Sequence, residues 1–100
     1  MNWNLLELIT MNNLGSIRKY ENQLEKDLIL EYGILISGNY LYRLLGFPSK
    51  AAFRQGISKK QIHVPIFRLE NRRGRHALAK DIAKWLTKNR FKALENVEMN

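Results

Sequence analysis

The chain has 100 residues, 45% of them apolar, no cysteine and a net charge of +8. That length holds one domain with a small core, and it excludes disulfides and thiolate metal sites. No run approaches the ~20 apolar residues of a membrane-spanning helix, and the first ten residues lack the positive start of a signal peptide, so the expected place is the cytoplasm, in association with the nucleoid.

The charge is not spread evenly. Residues 39–100 hold fourteen Lys/Arg against four Asp/Glu, a net +10, whereas residues 1–38 hold three against five, a net −2. A basic block on an ordinary hydrophobic pattern points to a polyanionic partner, usually nucleic acid.

In chain order, Asn2 is placed to cap a short apolar helix over 3–11, with Leu5, Leu6, Leu8 and Ile9 on its greasy face. Asn12, Asn13 and Gly15 are expected to end it. Ser16 then caps a second helix over 17–32, where Ile17, Tyr20, Leu24 and Leu28 recur at helical spacing. Glu21, Glu25, Asp27 and Glu31 make its other side acidic, which reads as a wet face, since no His, Ser or Gly-rich loop accompanies them to build catalysis. Residues 1–33 are thus a helical extension and a candidate dimerisation layer. Leu5, Leu6, Ile9, Leu24 and Leu28 offer more apolar surface than a small core uses, so a homodimer is expected whose interface includes residues 3–32.

Residues 34–95 read as the functional domain. Ile34-Leu35-Ile36 is a buried extended segment or the lead-in to a helix. Ser37 caps a helix over 38–45 with Leu41, Leu44 and Leu45 inward, and Gly46 stops it. Phe47-Pro48 is a turn, and Ser49 caps a helix over 50–57 with Ala52 and Phe53 inward. Two short helices around such a turn outline a helix–turn–helix. Val64 to Leu69 is β-prone, with Pro65 confining it to an edge, Glu70 to Gly74 is turn material, and Arg75-His76-Ala77 is a return strand. Together these predict a two-stranded wing tipped by Arg72 and Arg73. A last helix over 78–91 packs through Ala79, Ile82, Ala83, Trp85 and Leu86, with Lys80, Lys84 and Lys88 on its solvated side. Residues 96–100 are a tail. The expected fold is mainly α (α+β): a winged helix–turn–helix with extra N-terminal helices.

The second helix of the pair is the candidate reader. Lys50, Arg54, Gln55 and Ser58 point away from its apolar side, and Lys59 and Lys60 follow where it leaves the groove. Arginine bonds bidentately to guanine and glutamine to adenine, while lysine and serine serve phosphate or base. The wing supplies Arg68, Asn71, Arg72, Arg73 and Arg75, suited to phosphate contact or to a narrow minor groove. Tyr20, Tyr40 and Tyr42 read as packing or rim residues. His63 and His76 have no Cys or acidic partners, so no metal and no cofactor are expected.

The stretch from Tyr32-Gly33 to Leu86 resembles small winged helix–turn–helix proteins of mobile elements: prophage excisionases and activators, pyocin-activator-like proteins and plasmid-borne helix–turn–helix proteins. The likeness rests on Tyr32-Gly33, Leu41 with Leu44-Leu45-Gly46, Ser49, Val64-Pro65 with Arg68 and the basic turn to Arg75, and Asp81 to Leu86. It departs at Tyr42, where a small residue is usual, and at Pro48. The resemblance implies a non-enzymatic protein that binds double-stranded DNA, as a transcriptional regulator and repressor of a phage, plasmid or other bacterial mobile element. An excisionase-type DNA-bending factor, a basic protein that inhibits an acidic partner and an RNA-binding module are the rival readings. No membrane and no small-molecule substrate are expected.

Overall fold

The computed structural model describes the backbone of residues 5–97 and the side chains of residues 15–95. Its first element, α1, runs from Leu5 to Tyr32 as one helix. The expected break at Asn12, Asn13 and Gly15 does not occur. Asparagine and glycine each cost a helix interior at most about 1 kcal/mol, too little to stop a rod anchored elsewhere. The anchor is the C-terminal half: Leu28 is buried, and Leu24 and Tyr32 pack against the core. Gly33, at φ +96°, ends the helix and donates its N–H to the Ile29 carbonyl at 2.8 Å. At 1.5 Å per residue, α1 accounts for most of the 58 Å long axis of the molecule. The expected cap at Asn2 and start at residue 3 lie outside the described residues.

Leu35–Ser37 forms strand β1, followed by helices α2 (Gly38–Leu44) and α3 (Lys50–Ser58), strand β2 (His76–Leu78) and helix α4 (Ala79–Val97). The fold is mainly helical α+β, with four helices and one two-stranded antiparallel sheet among the described residues. Of the apolar run 34–36, only Ile36 is buried.

The sheet corrects the expected wing. β2 pairs along its length with β1, Ile36 opposite Ala77, and meets residues 64–69 at one position alone. The hairpin is held by a single antiparallel bridge, in which Phe67 and His76 exchange backbone hydrogen bonds of 3.0 and 2.8 Å. Its register explains why it stops there. The next bonded position on one side sets Pro65 opposite Leu78, and proline has no N–H to give. On the other side the Leu69 carbonyl accepts from Arg72 N–H at 3.2 Å, closing the turn before a second bridge can form.

Ile36, Leu41, Leu45, Phe53, Val64, Ala77, Ala79, Ile82 and Ala83 join Leu28 in one core. α4 faces α1 along much of its length, with Phe91 edge-on to Tyr20 at 5.6 Å and the Arg90 guanidinium 5.1 Å from the Tyr20 ring centroid. Leu24 and Leu28, two of the five residues assigned to a dimer interface, therefore pack within the chain. The side chains of Leu5, Leu6 and Ile9 lie outside the described residues. α4 also runs past Phe91 to Val97, into the expected tail, because Lys92 to Glu95 are good helix formers with no glycine or proline among them. Leu78 belongs to β2, so the helix starts one residue late.

Candidate nucleic-acid interface

The turn between α2 and α3 sets the geometry of this face. Gly46, at φ +87°, donates to the Arg43 carbonyl at 3.0 Å, and Phe47 donates to Tyr42 at 2.9 Å. Ser49 then caps α3, its hydroxyl accepting from Ala52 N–H at 3.1 Å. Ser37 stands at the equivalent place before α2, but its side chain makes no capping bond, contrary to expectation. The β1 backbone already leads into α2, so that start does not depend on the hydroxyl.

α3 is pinned on its inner side by Phe53 and Gly56, both buried. Gly56 lies under the Phe47 ring, which rests 5.7 Å from the Phe53 ring. A Cβ at position 56 would meet Phe47 Cε1 and Cζ at 2.8 Å. Alanine normally gains up to about 1 kcal/mol over glycine inside a helix, but here overpacking costs about 1–3 kcal/mol. Gly56→Ala is therefore expected to lower stability by up to about 2 kcal/mol, read as a lower denaturation midpoint at unchanged m-value. A rise in the midpoint would show that Phe47 moves freely and does not hold α3.

The residues assigned to reading all face solvent, four of them on α3 and Lys59 and Lys60 just past its end. Lys50, Arg54, Gln55, Ser58, Lys59 and Lys60 are all exposed. Lys50 and Arg54, four residues apart, share one flank of the helix, while Gln55 is turned by about 100°. Lys60 has φ +55° at the helix end, where Gln61 N–H reaches the Gly56 carbonyl at 2.9 Å. A lysine accepts this glycine-favoured backbone at a cost of about 1–2 kcal/mol, and its side chain stands in solvent.

The hairpin residues divide into two groups. Arg68, Asn71, Arg72 and Arg73 are exposed, and Arg75 is half-buried. Asn71 at φ +60° and Gly74 at φ +88° bend the tip. Arg68 and Arg75, from the two arms, meet Lys50 and Arg54 across a groove of about 260 Å³. Gly38, Leu41, Tyr42, Phe53 and Gly74 complete its wall, and among the described residues no acidic one lines it. Arg72 and Arg73 at the tip, and Gln55 to Lys60 along α3, lie outside this groove.

Four basic residues from two elements thus line one concavity, which makes it the most basic recess among the described residues and favours an anionic occupant. Sequence spacing did not reveal this grouping, because Arg54 and Arg68 lie fourteen residues apart. Nor did it place Tyr42 in the wall; the ring stands 6.0 Å from the Arg43 guanidinium carbon. The signal available was a tyrosine on the helix before the reader, one residue from an arginine.

His76 is buried beneath the hairpin, its ring 6.3 Å from that of Phe67, and His63 is exposed. Lys80, Lys84 and Lys88 are exposed along α4. Among the described residues no three His, Asp or Glu side chains converge as a metal site, and no helix is long and apolar enough to cross a membrane. No family model, curated protein or solved structure matches this chain.

Proposed function

We propose that this protein binds double-stranded DNA sequence-specifically, without chemistry of its own, as a transcriptional repressor of a phage, plasmid or other mobile element. The observation that carries the reading is the groove in which Lys50 and Arg54 of α3 meet Arg68 and Arg75 of the hairpin with no acidic neighbour in its wall. α3 has nine residues, about 14 Å of helix, which suits a major groove about 12 Å wide. In this reading Arg54, Gln55 and Ser58 address base edges. Lys50, Arg68 and Arg75 hold the adjoining phosphates, and the Arg72-Arg73 tip reaches the next groove. The order helix, strand, helix, helix, bridged hairpin and helix supports a winged helix–turn–helix arrangement, with a wing narrower than two full strands.

Selection of bound sequences from random duplex DNA, followed by footprinting and a salt titration, tests this. With about six phosphates neutralised, log affinity falls against log salt with a slope of roughly −5. Gln55→Ala is expected to change the selected motif, and Arg72→Ala with Arg73→Ala to weaken all sequences alike. A slope near zero on duplex DNA would overturn the reading. Direct repeats bound with strong bending would point to an excisionase-type factor, preference for RNA to the RNA-binding alternative, and absence of nucleic-acid binding at low salt to an acidic protein partner.

A further inference from the structure

Among the described residues no strand pairs with the side of β1 that faces away from β2. β2 is the middle line of the sheet: His76 bonds to Phe67 on one side, so the groups of Ala77 face β1 on the other. Ala79 N–H reaches the Ile34 carbonyl at 2.8 Å, which sets Ile34 and Ile36 as the residues bonding toward β2. By the alternation of an antiparallel ladder, Leu35 N–H and C=O point outward. Folded proteins usually protect such an edge with lysine, proline or a covering segment. Here the edge segment is apolar and exposed, Ile34 at 65% and Leu35 at 37%, and Leu30 and Tyr40, a few residues away along the chain, are exposed as well.

The charge pattern says what covers it. Residues 32–42 are the longest uncharged run in the chain, eleven residues between Glu31 and Arg43. A twofold interface lays a patch against itself, so any net charge on the patch is doubled in repulsion. In a chain of net charge +8, an open strand edge inside the longest uncharged run is the place where two copies can meet without that repulsion. An acidic or basic partner peptide would find no counter-charge there.

We infer that β1 is the homodimerisation edge, pairing antiparallel with the β1 of a second copy into a four-stranded sheet. With the twofold axis at Leu35, that residue exchanges both backbone bonds with the partner's Leu35. Ile34 then stands opposite the partner's Ile36, which extends the core across the junction. The apolar helix face expected to carry the dimer is replaced in this role by a strand. The contact is small, so the dissociation constant falls on the order of 10 µM.

Sedimentation equilibrium of the full chain over roughly 5–100 µM, without DNA, keeps this test separate from the DNA-binding reading. The wild type is expected to pass from monomer to dimer. Leu35→Lys, which puts a charge on the edge, is expected to weaken association at least about tenfold while leaving the circular-dichroism spectrum unchanged. A second measurement holds even if that variant does not fold. The natural chain has no cysteine, so Leu35→Cys supplies a lone thiol. Bonded antiparallel neighbours have Cα atoms about 5.5 Å apart, within disulfide reach. Mild oxidation is expected to give a covalent dimer from Leu35→Cys but not from Lys84→Cys on α4. A wild type that stays monomeric throughout the range would overturn the inference. So would a dimer that neither weakens on Leu35→Lys nor cross-links at position 35.

Discussion

Replacing Lys50, Arg68 and Arg75 together by glutamine is expected to lower affinity for duplex DNA by about 500-fold near 0.1 M salt. The estimate follows from counterion release. Each phosphate contact contributes about 0.9 to the slope of log affinity against log salt, which at ~0.1 M is roughly eightfold in affinity per contact. The three residues belong to two elements but line one groove, so their loss removes a local cluster and flattens the slope by nearly three. Glutamine is chosen because Arg75 is half-buried, and a long polar stem preserves its packing better than alanine. The control is the triple change of Lys80, Lys84 and Lys88 to glutamine, with the same loss of net charge on an exposed helix row. If the two triples lose affinity equally, DNA responds to net charge alone and the groove has no special role.

Ile82→Ala is expected to destabilise the fold by about 2–5 kcal/mol. Ile82 is fully buried at the heart of the core, on the first turn of α4. Alanine there removes three carbons and leaves a cavity that its neighbours fill only in part. Domains of this size have a total stability of about 5–15 kcal/mol, so the loss is a large fraction. At about 4–8 °C per kcal/mol, the melting temperature should fall by at least about 8 °C. Lys84→Ala, two residues along but exposed, should stay within about 0.5 kcal/mol of wild type. Equal effects at the two positions would mean that α4 is not held by the face that buries Ile82.

Much of the molecule was legible in the order of residues. The spacing of Leu41, Leu45 and Phe53, the serine at 49 and the glycine at 46 placed α2, the turn and α3, because these signals are local and each acts within one helical turn. The same holds for Ala79, Ile82 and Ala83 on α4, and for the exposure of the residues assigned to reading on α3. Helix ends were less legible. Asn12, Asn13 and Gly15 resemble a stop, but their penalties are small beside what long-range packing of Leu24 and Leu28 on the rest of the chain supplies.

Strand pairing lay beyond the reach of sequence reading. Residues 64–69 and 75–77 carry every local mark of a hairpin, yet β2 takes β1 as its main partner from about forty residues upstream. A strand chooses its partner by shared burial and by which N–H groups are free, and Pro65 withholds one. The groove and the open edge are consequences of that choice. Sequence by itself determined the basic half of the chain, the two short helices on either side of the Gly46 turn and the inner faces of those helices, since charge and periodicity are properties of the chain. Only the tertiary structure decided that Lys50 and Arg54 line one groove with Arg68 and Arg75, and that the Leu35 backbone turns away from β2. Both depend on how distant segments meet, and no local preference encodes that meeting.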